Sequence, residues 1–463
     1  MDILNEKIYN VLAAMQIECT EAEVNDFASF VLRKLWGQYE KECMDQRIII
    51  ENQVKNLQIA IPNGTVGKEY ETLFKIPSDL VDDFWLEGLE DSGLACTVAE
   101  DNTCQIVGTP TNAGTFDIVL FYKYKGWIDG KPILKRKITI AINPDPKTLW
   151  KNIPTSEDVE YYQPDHDSAY VKVEAKNGEP QKDIVAASQR GRSHAHEGNS
   201  RDDHFRVEYL EESGWYVMAV ADGAGSAKYS RKGSSLACDT SVEHCKEYFG
   251  DEKKLADFEE YITTYNGDKE DAEYRKMLGD TIHELVGNAA FKSYKAIEAE
   301  SIAKGAPIKN YATTLLLAVC KKFDFGWFVA SFWVGDGAMC IYDKERQYFK
   351  LLGTPDEGEF AGQTRFLTMP EIFRDATSFY GRLKFSIEQD FTALMLMTDG
   401  VSDPMFETDS NLNKIEKWNA LWENITKEVE LIDDNSESQF QLLKWLDFWS
   451  QGNHDDRTIA ILY

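Results

Sequence analysis

The chain lacks the features that would place it in a membrane, on a nucleic acid or around a zinc ion. No stretch approaches the roughly 20 consecutive apolar residues of a membrane span. The start, Met1-Asp2-Ile3-Leu4-Asn5-Glu6, has neither the basic region nor the apolar core of a secretion signal, so a cytoplasmic chain is expected. Basic residues are short: 50 against 79 acids, a net charge of −29 over 463 residues. The first 150 residues hold 23 acids and 15 bases, a net of −8, which leaves −21 for the other 313. The acidity is therefore spread along the chain, not gathered in a tail. A binder of nucleic acid or of a membrane surface needs a basic patch to meet phosphates, so both partners are excluded. The eight cysteines form no Cys-x-x-Cys pair and the seven histidines no His-Glu-x-x-His motif, which argues against a zinc or thioredoxin-type site. Cys96 and Cys104 could bridge a hairpin or stand as reduced, half-buried thiols. Disorder is excluded too, because 43% of the residues are hydrophobic and 12% aromatic.

What is present divides the chain unevenly. The length suggests about three domains. Residues 1–48 read as helical. Thr20-Glu21-Ala22-Glu23 fits a capping box, and Val24, Phe27, Val31, Leu35 and Tyr39 follow at helical spacing. This segment could pack on its neighbour or bind a partner. Residues 50–146 change character. Leu57-Gln58-Ile59-Ala60-Ile61, Thr115-Phe116-Asp117-Ile118-Val119-Leu120 and Lys137-Ile138-Thr139-Ile140-Ala141-Ile142 are strand-like and punctuated by turn residues, which predicts a β-sandwich. Asn143-Pro144-Asp145-Pro146 breaks the pattern, and the polar residues 147–182 read as a linker. Chemistry-bearing residues concentrate in 183–463. Within that part 226–303 and 412–449 read as helical, with Trp418, Trp422, Trp445 and Trp449 expected in a helix-to-sheet core.

Three apolar runs each end in Asp-Gly. Trp215-Tyr216-Val217-Met218-Ala219-Val220-Ala221 leads into Asp222-Gly223, the run 327–335 into Asp336-Gly337, and 393–398 into Asp399-Gly400. Asp455-Asp456 precedes a last strand-like run, and Asp202-Asp203 follows Arg201. Any one Asp-Gly reads as a hairpin turn. Five aspartate sites at strand ends read differently, because gathered carboxylates repel unless hard cations neutralise them. Oxygen-only ligands suit Mg²⁺ or Mn²⁺.

In this order, Arg201-Asp202-Asp203, Ala221-Asp222-Gly223-Ala224-Gly225-Ser226, Thr313-Thr314-Leu315, Gly335-Asp336-Gly337, Thr398-Asp399-Gly400-Val401-Ser402-Asp403 and Asp455-Asp456-Arg457-Thr458 resemble the metal-dependent serine/threonine protein phosphatases of type 2C. The look is that of a bacterial subgroup with a Ser-His pair, here Ser193-His194. The stretch 108–116 resembles the turn-plus-strand signature of bacterial immunoglobulin-like domains. The resemblance implies an α+β protein: a catalytic domain layered α-β-β-α around two antiparallel sheets, preceded by an immunoglobulin-like sandwich and a short helical segment. It implies two Mn²⁺ or Mg²⁺ ions, with room for a third. Asp222 would bridge two ions and the Gly223 carbonyl would bind one. Asp399 and Asp455 would complete the second, Asp202 and Asp203 would hold waters of the metal shell, and Asp336 would serve a third ion with Asp399.

The reaction implied is hydrolysis of phosphoserine or phosphothreonine on a protein by a water that two metals activate. A serine/threonine kinase would act opposite it. Many relatives carry an arginine four or five residues before the Asp203 position, to grip the substrate phosphate. Here those positions are Asn199 and Gly198. Arg192, His194 and Arg201 are the candidates to replace it, and His194 could also protonate the leaving alkoxide. Arg201 could instead simply pair with its acidic neighbours. Asp403 could sit behind the metal ligands or cap a helix, and 353–368 could form a flap beside the site or an ordinary loop. Two other readings compete: a catalytically weak scaffold that binds a phosphoprotein or kinase, and a metal phosphodiesterase.

Overall fold

The capping box at Thr20 forms. The Thr20 amide and hydroxyl both reach Glu23 Oε2 at 2.8 Å, and the Glu23 amide donates back to Thr20 Oγ1. It opens a helix of 36 residues, Glu21–Asn56, which follows a first helix, Asp2–Ala14. The computed structural model describes residues 2–176, 180–356 and 364–463. They fall into two units, Met1–Leu149 and Trp150–Tyr463.

In the first unit the long helix runs past residue 48 to Asn56, and the expected strand 57–61 is unpaired. Its alternation still has a use: Leu57, Ile59 and Ile61 lie against the β core as an extended strap. Arg136 meets the end of the helix by donating to the carbonyls of Val54 and Leu57 at 2.7 and 2.6 Å. Two sheets follow. One has the order Gly64–Thr65, Leu134–Asn143, Gly114–Tyr124, Val81–Glu87. The other runs Tyr70–Lys75, Thr103–Gly108, Leu94–Val98. Ile106, Ile118, Leu120, Tyr122 and Ile140 are fully buried in their shared core. Cys96 and Cys104 stand on adjacent strands as free thiols, sulfur to sulfur 2.9 Å.

The second unit begins earlier than the composition suggests. Within 147–182, read as a linker, the strand His166–Val171 pairs with Ile184–Gln189 at the edge of a sheet. An edge strand with no fully buried side chain needs no strong alternation, which is why its sequence reads as loop. This sheet has six antiparallel strands in the order Tyr348–Leu351, Ala338–Asp343, Ala393–Met397, Arg457–Leu462, Ile184–Gln189, His166–Val171. A second sheet has five, His204–Leu210, Trp215–Ala221, Leu315–Phe323, Gly326–Val334, Leu383–Glu388.

The central strands are buried on both faces, and their alternation divides two cores. Trp215, Val217 and Ala219 face a core shared with Ala237 and Val242 of the helix Ser230–Phe249 and with Ile297 of Asn288–Lys304. Tyr216, Met218 and Val220 point the other way, into a core shared with Ala186, Cys340, Met395 and Ile461 of the six-stranded sheet. Trp418, Trp422 and Trp445 are buried in that second core, on the helices Ile415–Thr426 and Ser438–Leu446. Trp449 is not in the core. It is half-buried and stacks against His454 and Arg192. Among the described residues no helix is long and apolar enough to cross a membrane.

Candidate metal centre

Asp336-Gly337 is not a hairpin. The strand before it, Gly326–Val334, lies in the five-stranded sheet and the strand after it, Ala338–Asp343, in the six-stranded one. The chain changes sheets at Asp336, and carboxylates from both sheets converge beside that crossing. Asp222 leaves the end of Trp215–Ala221 in the five-stranded sheet, and Asp399 follows Ala393–Met397 in the six-stranded one. One oxygen from each of Asp222, Asp336 and Asp399 lies within 4.8 Å of the others. Asp202-Asp203 and Asp455-Asp456 enter from the opposite direction, each just before a strand of one sheet.

Close backbone contacts hold these ends in place. The Asp222 amide donates to Thr314 Oγ1, and the Asp222 carbonyl accepts from the Thr314 amide and the Thr313 hydroxyl, all at 2.8 Å. Gly223 pairs with Thr313, and a Cβ there would sit 2.6 Å from the Asp202 carbonyl oxygen. At Gly400 a Cβ would sit 1.8 Å from the Asp456 carbonyl oxygen. Gly400→Ala is therefore expected to push the Asp399 and Asp456 loops apart. The expected cost is about 1–3 kcal/mol of stability, read as a lower unfolding temperature together with weaker Mn²⁺ binding.

Asp203 and Asp456 are buried, and each has an identifiable partner set. Asp203 Oδ2 accepts from the hydroxyls of Thr398 (2.8 Å) and Thr458 (2.7 Å). Asp456 accepts from the amides of Gly191 (2.6 Å) and Asp202, and from His194 Nδ1 at 3.0 Å. The other ring nitrogen of His194 lies 3.6 Å from Asp202 Oδ2. Asp202 Oδ1 is met by Arg231 Nε at 3.0 Å.

The crowding shows in the acidities. Burial, followed by the charges of Asp399 and Asp203, raises Asp222 well above the carboxylate range. Burial and Asp336 do the same to Asp399. Burial and Asp456 lift Asp203 to about 7 and Asp202 to about 6. Burial would raise Asp456 as well, but His194 and the Gly191 and Asp202 amides outweigh it and hold this carboxyl low. Burial likewise opposes a charge on His194, yet Asp456 and Asp202 raise it to about 9.

Such a cluster fits hard divalent cations. The donors of Asp222, Asp336 and Asp399 are all oxygen, a second group joins His194 to Asp455 and Asp456, and Asp336 Oδ1 is buried with no hydrogen-bond partner among the described residues. The other Asp336 oxygen accepts from Thr364 Oγ1. A family model for protein phosphatase 2C matches residues 190–447, more than half of the chain. The chain belongs to the protein phosphatase 2C family.

Solved structures of serine/threonine phosphatases are among its likenesses. One is the catalytic domain of the serine/threonine phosphatase PstP in complex with two manganese ions, 14% identical over 60% of this chain and 96% of that one, with a TM-score of 0.35. Another is the S. agalactiae serine/threonine phosphatase, at 14%, 61%, 99% and 0.34 in the same order. A third is PstP/Ppp of Mycobacterium tuberculosis, at 12%, 61%, 98% and 0.35. No curated protein matches the chain.

Within this protein phosphatase 2C chain the candidate residues separate clearly. Asp202, Asp203, Asp222, Gly223, Asp336, Asp399, Asp455 and His194 all gather at the meeting of the sheets. Arg201 does not join them. It is 1% exposed and donates to the Ser188 carbonyl and Gln163 Oε1, so it cannot reach a substrate. Arg192 is held by Asp447 at 2.6 Å and by the Trp449 ring. Asp403 is not a cap: Thr398 precedes the helix Asp399–Phe406, and Asp403 lies inside it. Burial and the charge of Asp336 raise its acid to about 6. Of the flap 353–368, residues 357–363 lie outside the described residues. On one side of them, Asp356 forms a bidentate pair with Arg382, at 2.6 and 2.7 Å.

The sequence reading missed Arg231. It sits in the first turn of the helix Ser230–Phe249, and that helix begins against Gly223. Its position eight residues after Gly223 was visible, but only the fold shows that the helix turns this guanidinium back towards Asp202.

Proposed function

We propose that the protein hydrolyses phosphoserine or phosphothreonine on protein substrates with two bound Mn²⁺ or Mg²⁺ ions, and that Asp222 lies at the centre of the site. The observation that carries this reading is the convergence of Asp222, Asp336 and Asp399 within 4.8 Å, with the buried Asp336 Oδ1 left without a partner among the described residues. Asp222, the Gly223 carbonyl, Asp399 and Asp455 would hold the two ions, with Asp336 and Asp399 able to take a third. Asp202 and Asp203 would order the surrounding water. Bound there, the cations supply an activated water and neutralise charge at phosphorus.

The remaining roles belong to the chain itself. Asp456 fixes the His194 ring through Nδ1 and keeps it protonated, which leaves Nε2 to give a proton to the departing alkoxide. Arg231, steadied by Asp202 and by the Glu160 carbonyl at 3.2 Å, holds the substrate phosphate in place of the family arginine missing at Gly198 and Asn199. Arg231→Ala is expected to raise KM for a phosphopeptide about tenfold and to weaken inhibition by inorganic phosphate similarly, in line with the loss of one charge-assisted contact. Unchanged phosphate inhibition would remove Arg231 from this role.

The catalytic domain is best drawn from residue 150, since the strand His166–Val171 belongs to its sheet. The two cores flanking the five-stranded sheet support the four-layer α-β-β-α arrangement. In the first unit, four strands over three support the immunoglobulin-like reading. The natural counterpart is a kinase that phosphorylates serine or threonine.

Hydrolysis of a phosphothreonine peptide that depends on Mn²⁺ tests the activity. An equal rate in excess chelator would overturn it. The missing arginine leaves a weakly catalytic scaffold as a second reading. That reading predicts no heat of Mn²⁺ binding in a calorimetric titration, whereas the phosphatase predicts a clear one.

A further inference from the structure

The helix Arg192–Glu197, which carries His194, cannot hold its own position. It has six residues, its N-cap is Gly191, and no side chain caps its first turn. A lone helix shorter than about 12 residues is marginal in water, so this one lies where its neighbours put it. The two members of the His194–Asp456 pair are therefore fixed differently. Asp456 is held by the amides of Gly191 and Asp202 and directly precedes the strand Arg457–Leu462. His194 depends on where its helix lies.

Residues 150–153 brace that helix. The Lys151 amide donates to His196 Nδ1 at 3.0 Å, and the Ile153 amide to the Ala195 carbonyl at 2.8 Å. The brace is anchored in turn by Arg190, 5% exposed, which donates to Asn152 Oδ1 at 2.9 Å and to the Ile153 carbonyl at 3.0 Å. The Trp150 ring joins the helix to the residue before Asp455. Its centroid lies 5.4 Å from that of His196 and 4.4 Å from that of His454. At the other end of the helix Arg192 lies over Trp449, whose ring is 5.1 Å from His454. Both ends are thus tied to His454, each through one tryptophan. We propose that Trp150 is a positioning residue for proton transfer: it holds the helix so that His194 Nε2 faces the departing alkoxide. The inference rests on the role given to His194 above, and Trp150 acts only through its neighbours.

Two substrates separate this role from a merely structural one. A phosphothreonine peptide releases a basic alkoxide that needs a proton, whereas p-nitrophenyl phosphate releases a phenolate that is stable without one. At saturating Mn²⁺, Trp150→Ala should lower kcat on the peptide at least about tenfold with KM little changed, and keep the aryl phosphate rate within about twofold. The retained aryl phosphate rate shows that the variant is folded and metal-loaded. Trp150→Phe, which keeps a ring against His454, should recover most of the peptide rate. An equal loss on both substrates, an unchanged peptide rate, or a Trp150→Phe protein as slow as Trp150→Ala would overturn the proposal and leave the phosphatase reading standing. A wild type that hydrolyses neither substrate with Mn²⁺ would overturn that reading, and this inference with it.

Discussion

Asp222→Asn is expected to slow Mn²⁺-dependent hydrolysis of a phosphothreonine peptide roughly a thousandfold, an increase of about 4 kcal/mol in the barrier. The side chain is nearly isosteric, and the backbone contacts that hold residue 222 involve only its amide and carbonyl, so the fold should be unchanged. What is lost is one negative charge at the point where Asp336 and Asp399 converge. An amide oxygen is a poorer ligand for a hard cation than a carboxylate. Steady-state rates over a range of Mn²⁺ concentrations check this. Recovery of full rate at high Mn²⁺ would show that Asp222 serves affinity alone, and an unaltered rate would remove it from the site.

The same substitution is expected to act on stability with the opposite sign when metal is withheld. Burial and mutual repulsion raise Asp203 to about 7 and Asp202 and Asp403 to about 6, from an ordinary 3.8. A carboxyl whose folded value lies above its unfolded one favours the fold while both states are protonated. That contribution is lost as pH rises through the folded value. His194, raised to about 9, adds a loss of the same sign between 6.5 and 9. Asp456, held low, acts the other way but only in stronger acid. The metal-free protein should therefore unfold at a lower temperature at pH 7.5 than at pH 5. Mn²⁺ should reverse this: at a hundred times its dissociation constant it adds about 2.7 kcal/mol. Asp222→Asn should raise the metal-free unfolding temperature at pH 7.5 and abolish the Mn²⁺ shift. Thermal melts with and without chelator decide it. A metal-free melting point that rises between pH 5 and 7.5 would contradict the crowding described above.

Much of the catalytic unit was legible in the sequence because its signals are local. An apolar run that ends in Asp-Gly states both a buried strand and a carboxylate at its end, as at Asp222 and Asp399. The capping box at Thr20 is a contact across three residues. The reading failed where the deciding contact was distant. The strand His166–Val171 is half-exposed, so its own residues carry no alternation, and it is a strand only because Ile184–Gln189 offers it an edge. The run 57–61 has strand alternation but uses it as an unpaired strap. Arg201 and Arg231 show the same limit in the site. Each lies close in sequence to a motif, yet one is turned into the protein towards Ser188 and Gln163, and the other back to Asp202.

The sequence by itself determined the chemistry available: an excess of carboxylates at strand ends, no nitrogen or sulfur ligand set, and a chain too acidic to seek phosphate backbones. Only the tertiary structure decided which of those carboxylates meet. Asp222, Asp336 and Asp399 are 63 to 177 residues apart. They are neighbours because two sheets share a core and the chain crosses between them at Asp336. A side chain's type is a local property. Its charge environment is the sum of what the fold brings within a few ångströms, and in this site that sum makes a cluster of ordinary aspartates into a place for cations.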